Sequence, residues 1–127
     1  MLTEDKKAIL IDKVIKVIIE MIHYSDELPK EKYSVYISKK LNHDYNYLSN
    51  LFSELKGTTI DHFIIAHKIE KVKELLMDNE LSIKEISYKL NYSSVAHLSN
   101  QFKKVTGLTP SYFKKQKDKL RKPIESI

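Results

Sequence analysis

The chain has 127 residues, 22 basic and 17 acidic, for a net charge of +5, with no Cys, no Trp, two Gly and three Pro. That length suits one compact domain or two very small ones sharing a helix, and the lack of Cys excludes a disulfide scaffold, a thiolate zinc site and a Cys nucleophile. Two glycines are too few for most Gly-rich phosphate loops, and scarce Gly and Pro favour helices joined by short turns over a many-turned sandwich.

The first periodic segment runs from about Glu4 to Tyr24. Ile11, Ile15, Ile18 and Ile22 form one stripe and Leu10, Val14, Val17 and Met21 the adjacent one, both at helical spacing. Their combined width exceeds what a surface helix needs, so this helix is either deeply packed or partly reserved for a partner. Asp12, Lys13, Lys16 and Glu20 interrupt it, so it falls short of the ~18 uninterrupted apolar residues of a membrane span. It also lacks a small-residue cleavage site. The expectation is a cytoplasmic chain with no membrane contact.

A polar turn ending at Pro29 precedes a short helix near Ser34 to Leu41. Asp44 is placed as N-cap of the next helix, about Tyr45 to Lys56, which Gly57 stops. Thr58 or Thr59 opens a long helix to about Asp78, with a buried face of Ile60, Phe63, Ile64, His67, Val72, Leu75 and Leu76, for which Ile69 competes. Ser82 and Glu85 form a capping box for a helix ending at Asn91. Ser93 or Ser94 caps a helix to about Thr106, stopped by Gly107. Thr109-Pro110 then opens a final helix to about Lys117. No alternating β pattern appears, so the predicted fold is all-α, with about seven helices.

An internal repeat organises these elements. Residues 37–42, ISKKLN, match 86–91, ISYKLN, at five positions of six. Residues 48–59, LSNLFSELKGTT, share Leu, Ser, Asn, Phe, Gly and Thr with 98–109, LSNQFKKVTGLT. Shared helical propensity does not produce matching Asn turns, matching Gly stops and a matching LSNxF. The chain therefore reads as a duplicated helix-turn-helix: a first subdomain over 1–57, a linker helix over 58–78, a second subdomain over 79–117 and a basic tail over 118–127. Ile37 and Leu41, or Ile86 and Leu90, face the core from the first helix of each unit. Leu48, Phe52 and Leu55, or Leu98, Phe102 and Val105, face it from the second. Asn42 and Asn91 sit at the sharp turns, because Asn tolerates positive φ.

The second helix of such a unit can enter a DNA major groove with its N-terminal outward residues at base edges. The intervening helix, about 20 residues, spans ~30 Å, close to the ~34 Å between successive major grooves on one face of B-DNA. Charge agrees. Residues 1–81 carry 12 basic and 14 acidic side chains, and residues 82–127 carry 10 and 3. A polyanion partner explains this asymmetry; a solvated Lys-rich tail is the competing reading.

These residues resemble the DNA-binding domain of the AraC/XylS family of bacterial transcription regulators, over about residues 9–117. Residues 81–115, LSIKEISYKLNYSSVAHLSNQFKKVTGLTPSYFKK, carry the resemblance most strongly. It implies a bipartite helical domain reading two adjacent major grooves, often fused to a separate sensor or dimerisation domain through which an effector would act. Two departures stand out. The family often has Gly where this chain has Asn42 and Asn91, and Arg or another long reader where it has Asn50 and Asn100. The only Arg is Arg121, so guanine recognition by a bidentate Arg is not expected.

The matching outward positions are Asn46, Ser49 and Asn50 in the first unit and Val95, Ala96, His97, Ser99 and Asn100 in the second. Asn pairs with adenine and small apolar side chains meet the thymine methyl, so an A·T-rich double-stranded DNA partner is expected. The competing readings are helix packing for Val95 and Ala96 and plain solvation for Asn46 and Asn50. Phosphate contacts are assigned to Lys103 and Lys104, with Lys40, Lys56, Lys89, Thr59 and Thr109 as further candidates. The tail residues Lys114, Lys115, Lys117, Lys119, Arg121 and Lys122 add nonspecific contacts or are simply solvated.

An enzyme is not expected. His62 and His67 are five apart, not the i,i+4 spacing of a helical metal pair, and no carboxylate pair or nucleophile arrangement stands out. No catalytic residue, metal or cofactor is assigned. The rival class is a helical protein-interaction module without DNA, supported by the wide apolar face of the first helix. The two readings are compatible, because activators also touch RNA polymerase.

Overall fold

The computed structural model describes residues 2–121, with side chains described through Asp118. Seven helices account for its regular structure, and there is no strand among the described residues. They are α1 (Glu4–His23), α2 (Tyr33–Leu41), α3 (Tyr45–Lys56), α4 (Ile60–Asp78), α5 (Ile83–Lys89), α6 (Val95–Thr106) and α7 (Pro110–Arg121).

Local chemistry sets most of these boundaries. Thr3 caps α1 by accepting from the Lys6 N–H. Asp44 caps α3 by accepting from the Tyr47 N–H, and Gly57 ends that helix at φ 70°. Thr59 rather than Thr58 opens α4, accepting from the His62 N–H at 3.0 Å. At α5 both halves of the capping box are present between Ser82 and Glu85. The Ser82 backbone N–H and then its hydroxyl hold the Glu85 carboxyl below its ordinary pKa. Ser94 rather than Ser93 caps α6, and Gly107 ends it at φ 83°. The final helix continues past Lys117 to Arg121.

The chain divides into two compact units, residues 1–67 and 68–127. In the first, α1, α2 and α3 pack against one another. Its core joins Leu10, Ile11, Val14, Ile18, Met21 and Ile22 of α1 to Ile37, Leu48, Leu51, Phe52, Ile60 and Ile64. Ile15 and Val17 lie partly buried against that cluster. The wide apolar face of α1 is therefore mostly consumed by packing, with Ile9 left 55% exposed. Tyr33 donates to Asp61 across this unit.

In the second unit α5 packs on α6 and α6 on α7. Ile69, Val72, Leu76, Ile86, Leu90, Tyr92, Leu98, Phe102 and Phe113 are buried. The rings of Phe102 and Phe113 meet edge to face, with centroids 5.5 Å apart. No buried side-chain polar atom among the described residues lacks a hydrogen-bond partner.

Two core assignments need correction. Leu55 and Val105 are 40% and 49% exposed. Their angular position is right, but both sit in the last turn of their helix, beyond its packed section. In α4, Ile69 is buried at 1% exposure, whereas Phe63, His67 and Leu75 are only half-buried. That helix contributes to two cores, Ile60 and Ile64 to one and Ile69, Val72 and Leu76 to the other, so no single stripe describes it.

Candidate nucleic-acid interface

Both helix-turn-helix turns use the same device. Asn42 and Asn91 take left-handed backbone at φ 53° and 59°. A six-residue loop then closes as the His43 N–H donates to the Ser38 carbonyl at 3.3 Å, and the Tyr92 N–H to the Ser87 carbonyl at 2.9 Å. Satisfying the last carbonyls of a helix in this way fixes the chain's exit direction. Asn in place of Gly thus keeps both turns left-handed.

In α3 the buried stripe is Leu48, Leu51 and Phe52. The opposite side bares Asn46 and Asn50, and Ser49 is half-buried. Tyr47 is also exposed, at 40%, and stacks on His43 at 17° between ring planes. Sequence reasoning passed over Tyr47. The offset of 50 between the repeats places it opposite His97 and could have found it.

In α6 the buried pair is Leu98 and Phe102. Val95, Ala96, His97 and Asn100 are exposed and Ser99 is half-buried. Val95 is 39% exposed, so part of its side chain is still covered. His97 is held on two sides. Its ring stands edge-on to Tyr92, centroids 5.1 Å apart, and its Nδ1 lies 3.1 Å from the Ser93 hydroxyl and 3.4 Å from the Ser93 backbone nitrogen. Behind them, the Tyr92 phenol donates to Gln101 Oε1 at 2.6 Å, and Lys68 Nζ lies 4.0 Å from the Tyr92 ring centroid.

Among the phosphate candidates, Lys40, Lys56, Lys103 and Lys104 are exposed, while Lys89 is half-buried. Lys40 Nζ lies 5.5 Å from the Tyr36 ring centroid. The Thr59 and Thr109 hydroxyl oxygens are used as caps, accepting from the N–H groups of His62 and Tyr112. Each hydroxyl keeps its own hydrogen to donate, and each stands at a helix start, where the backbone dipoles favour an anion. Lys115 is exposed and Lys114 and Lys117 are half-buried. The side chains of Lys119 and Arg121, and all of Lys122, lie outside the described residues.

The histidines have structural places. His23 Nε2 and His67 Nδ1 are 2.9 Å apart, joining α1 to α4, and His62 is exposed. No group of three or more His, Cys, Asp or Glu able to hold a metal occurs among the described residues. No helix among them is long and apolar enough to cross a membrane.

The helix-turn-helix domain family matches residues 37–116. A helix-turn-helix-type transcriptional regulator of Bacillus subtilis is 29% identical over 79% of this chain and 13% of its own length. The xylose operon regulatory protein of Escherichia coli is 39% identical over 53% of this chain and 17% of its own length. The chain thus spans a small part of these regulators. Among solved structures, the C-terminal domain of AraT, a response regulator from Geobacillus stearothermophilus, superposes with a TM-score of 0.70 at 24% identity, covering 84% of each chain. The DNA-binding domain of AdpA, solved with a target DNA, gives 0.72 at 16% identity over 87% of this chain and 95% of that one. This chain belongs to the AraC-type helix-turn-helix family of DNA-binding transcription regulators.

Proposed function

We propose that the chain reads two adjacent major grooves of one duplex, with α3 and α6 as its recognition helices. The observation that carries this reading is the same division of labour in both units: one stripe of the second helix is core, and its outward side exposes an Asn in the LSN segment, Asn50 or Asn100, with the neighbouring Ser49 or Ser99 half-buried. Asn46, Ser49 and Asn50 meet bases from α3, and Val95, Ala96, His97, Ser99 and Asn100 from α6. Helix α4 has 19 residues and is therefore about 28 Å long, compatible with the ~34 Å groove repeat.

Asn pairs through its amide with adenine N6 and N7, and Val and Ala offer methyl groups to thymine. A site richer in A·T than in G·C follows. Lys40, Lys56, Lys89, Lys103, Lys104, Thr59 and Thr109 contact phosphates, which sets affinity and salt dependence without reading sequence. The chain performs no catalysis in this role, and it acts inside the cell. Contact with RNA polymerase and control by a separate sensor or dimerisation domain are the parts of the proposal that rest on family membership alone.

Selection from random duplexes tests it. The expected product is an A·T-rich motif with two blocks about one helical turn apart, bound with an affinity that falls steeply as salt rises. Failure to enrich any duplex at low salt, alongside a tight protein partner, overturns the reading in favour of an interaction module. A G·C-rich product overturns only the base preference.

A further inference from the structure

The hydrogen-bond partners of His43 and His97, beside α3 and α6, call for opposite tautomers. At His43, Nδ1 lies 2.7 Å from the Leu41 carbonyl oxygen. A carbonyl can only accept, so Nδ1 carries the ring hydrogen there. At His97 the polarity reverses. Nδ1 is approached by the Ser93 backbone N–H at 3.4 Å, with the Ser93 hydroxyl at 3.1 Å. A backbone N–H can only donate, so Nδ1 is the acceptor and the hydrogen of the neutral ring sits on Nε2.

His97 Nε2 has no hydrogen-bond partner among the described residues, and the side chain is exposed. It lies in the first turn of α6, whose amide N–H at His97 is already used by the Ser94 cap at 3.0 Å. One side of the ring meets Tyr92 edge-on, and Tyr92 is itself bonded to Gln101 with Lys68 over its face. In this arrangement the neutral ring presents a single outward donor, Nε2–H, and no outward acceptor.

We infer that His97 selects guanine at one position of the bound site, donating from Nε2 to the guanine N7/O6 edge, with Ser93 and Tyr92 as the residues that position it. The major-groove edges of the bases decide this choice. Guanine offers two neighbouring acceptors and no donor. Adenine sets an amino group beside its N7. Cytosine offers only an amino donor, which a donor cannot bond. Thymine's single acceptor lies beside a methyl group. One guanine is thus expected within an otherwise A·T-rich site. The inference rests on α6 being a recognition helix.

Two measurements separate its failure from failure of that reading. A two-bond 1H–15N spectrum of the free protein at about pH 8, where an imidazole is ordinarily neutral, should show His97 protonated at Nε2 and His43 at Nδ1. A His97 hydrogen on Nδ1 overturns the inference whatever DNA does. Selection is then run with the wild type, His97→Ala and His97→Gln. Guanine preference at one position should vanish in His97→Ala and become an adenine preference in His97→Gln, since Gln adds an acceptor for the adenine amino group. Placing 7-deazaguanine at that position should weaken wild-type binding about tenfold and leave His97→Ala unchanged. If the position lost in His97→Ala is not guanine, the base assignment falls while DNA reading stands. If no duplex binds, the DNA reading falls with it.

Discussion

The Tyr92 phenol donates to Gln101 Oε1 across 2.6 Å, tying the turn before α6 to the middle of that helix. Burial pushes this phenol up to about 12, so it remains a donor across the neutral range. In the first unit the position of Gln101 is taken by Leu51, 4% exposed. One copy of the repeat thus has a buried leucine at this position and the other a hydrogen-bonded glutamine.

Removing one partner of that bond is expected to cost more than removing both. Tyr92→Phe strands the half-buried Gln101 amide and should lower stability by about 1 kcal/mol. Combining Tyr92→Phe with Gln101→Leu removes both hydrogen-bonding groups together and should recover most of that loss. Urea titration of the two single variants and the double variant measures the coupling. Additive losses would contradict it.

Burial lowers the pKa of Lys68 from 10.5 to about 8. The unfolded chain therefore binds the extra proton between those values, and stability should rise with pH across that window. Below about pH 8 the charged ammonium is held out of water, with the Tyr92 face returning only part of the loss. Lys68→Met keeps the aliphatic stem and should be about 1 kcal/mol more stable than wild type at neutral pH. That advantage should shrink towards zero above the ordinary lysine pKa. Denaturation curves at several pH values check it, and an advantage independent of pH would rule out the charge as its cause.

Exposure separates residues that share a helical stripe. Leu48 and Phe102 are fully buried, whereas Leu55 and Val105 stand 40% and 49% open. Leu48→Ala and Phe102→Ala should each cost about 2–5 kcal/mol through lost contacts and a cavity. Leu55→Ala and Val105→Ala should stay within about 0.5–1 kcal/mol of wild type. Thermal melts of the four variants test the division.

Helices α3 and α6 differ in electrostatics. No acidic residue occurs in α6, which carries Lys103 and Lys104 in its last turn. Helix α3 carries Glu54 as well as Lys56, and Asp44 caps it. Lys103→Ala should therefore weaken duplex binding more than Lys56→Ala and reduce the salt slope by about one. Anisotropy titrations over a salt series decide between them, and equal losses would show the two helices sharing the phosphate contacts evenly.

By itself the sequence determined the helices and the repeat. Caps at Asp44 and Ser82 and stops at Gly57 and Gly107 act within a few residues, so local chemistry is enough to place them. The exposed Asn pair of α3 was likewise legible, because it lies opposite Leu48 and Phe52 on a helix whose period is known. The tertiary structure alone decided where burial stops along a stripe, as at Leu55 and Val105. It also decided how α4 divides its apolar residues between two cores. Only three-dimensional contacts show that Ser93 and Tyr92 hold His97 while Leu41 orients His43. Periodicity records which direction a side chain leaves its helix; what it meets there depends on other segments, and a ring's tautomer depends on which atom it meets.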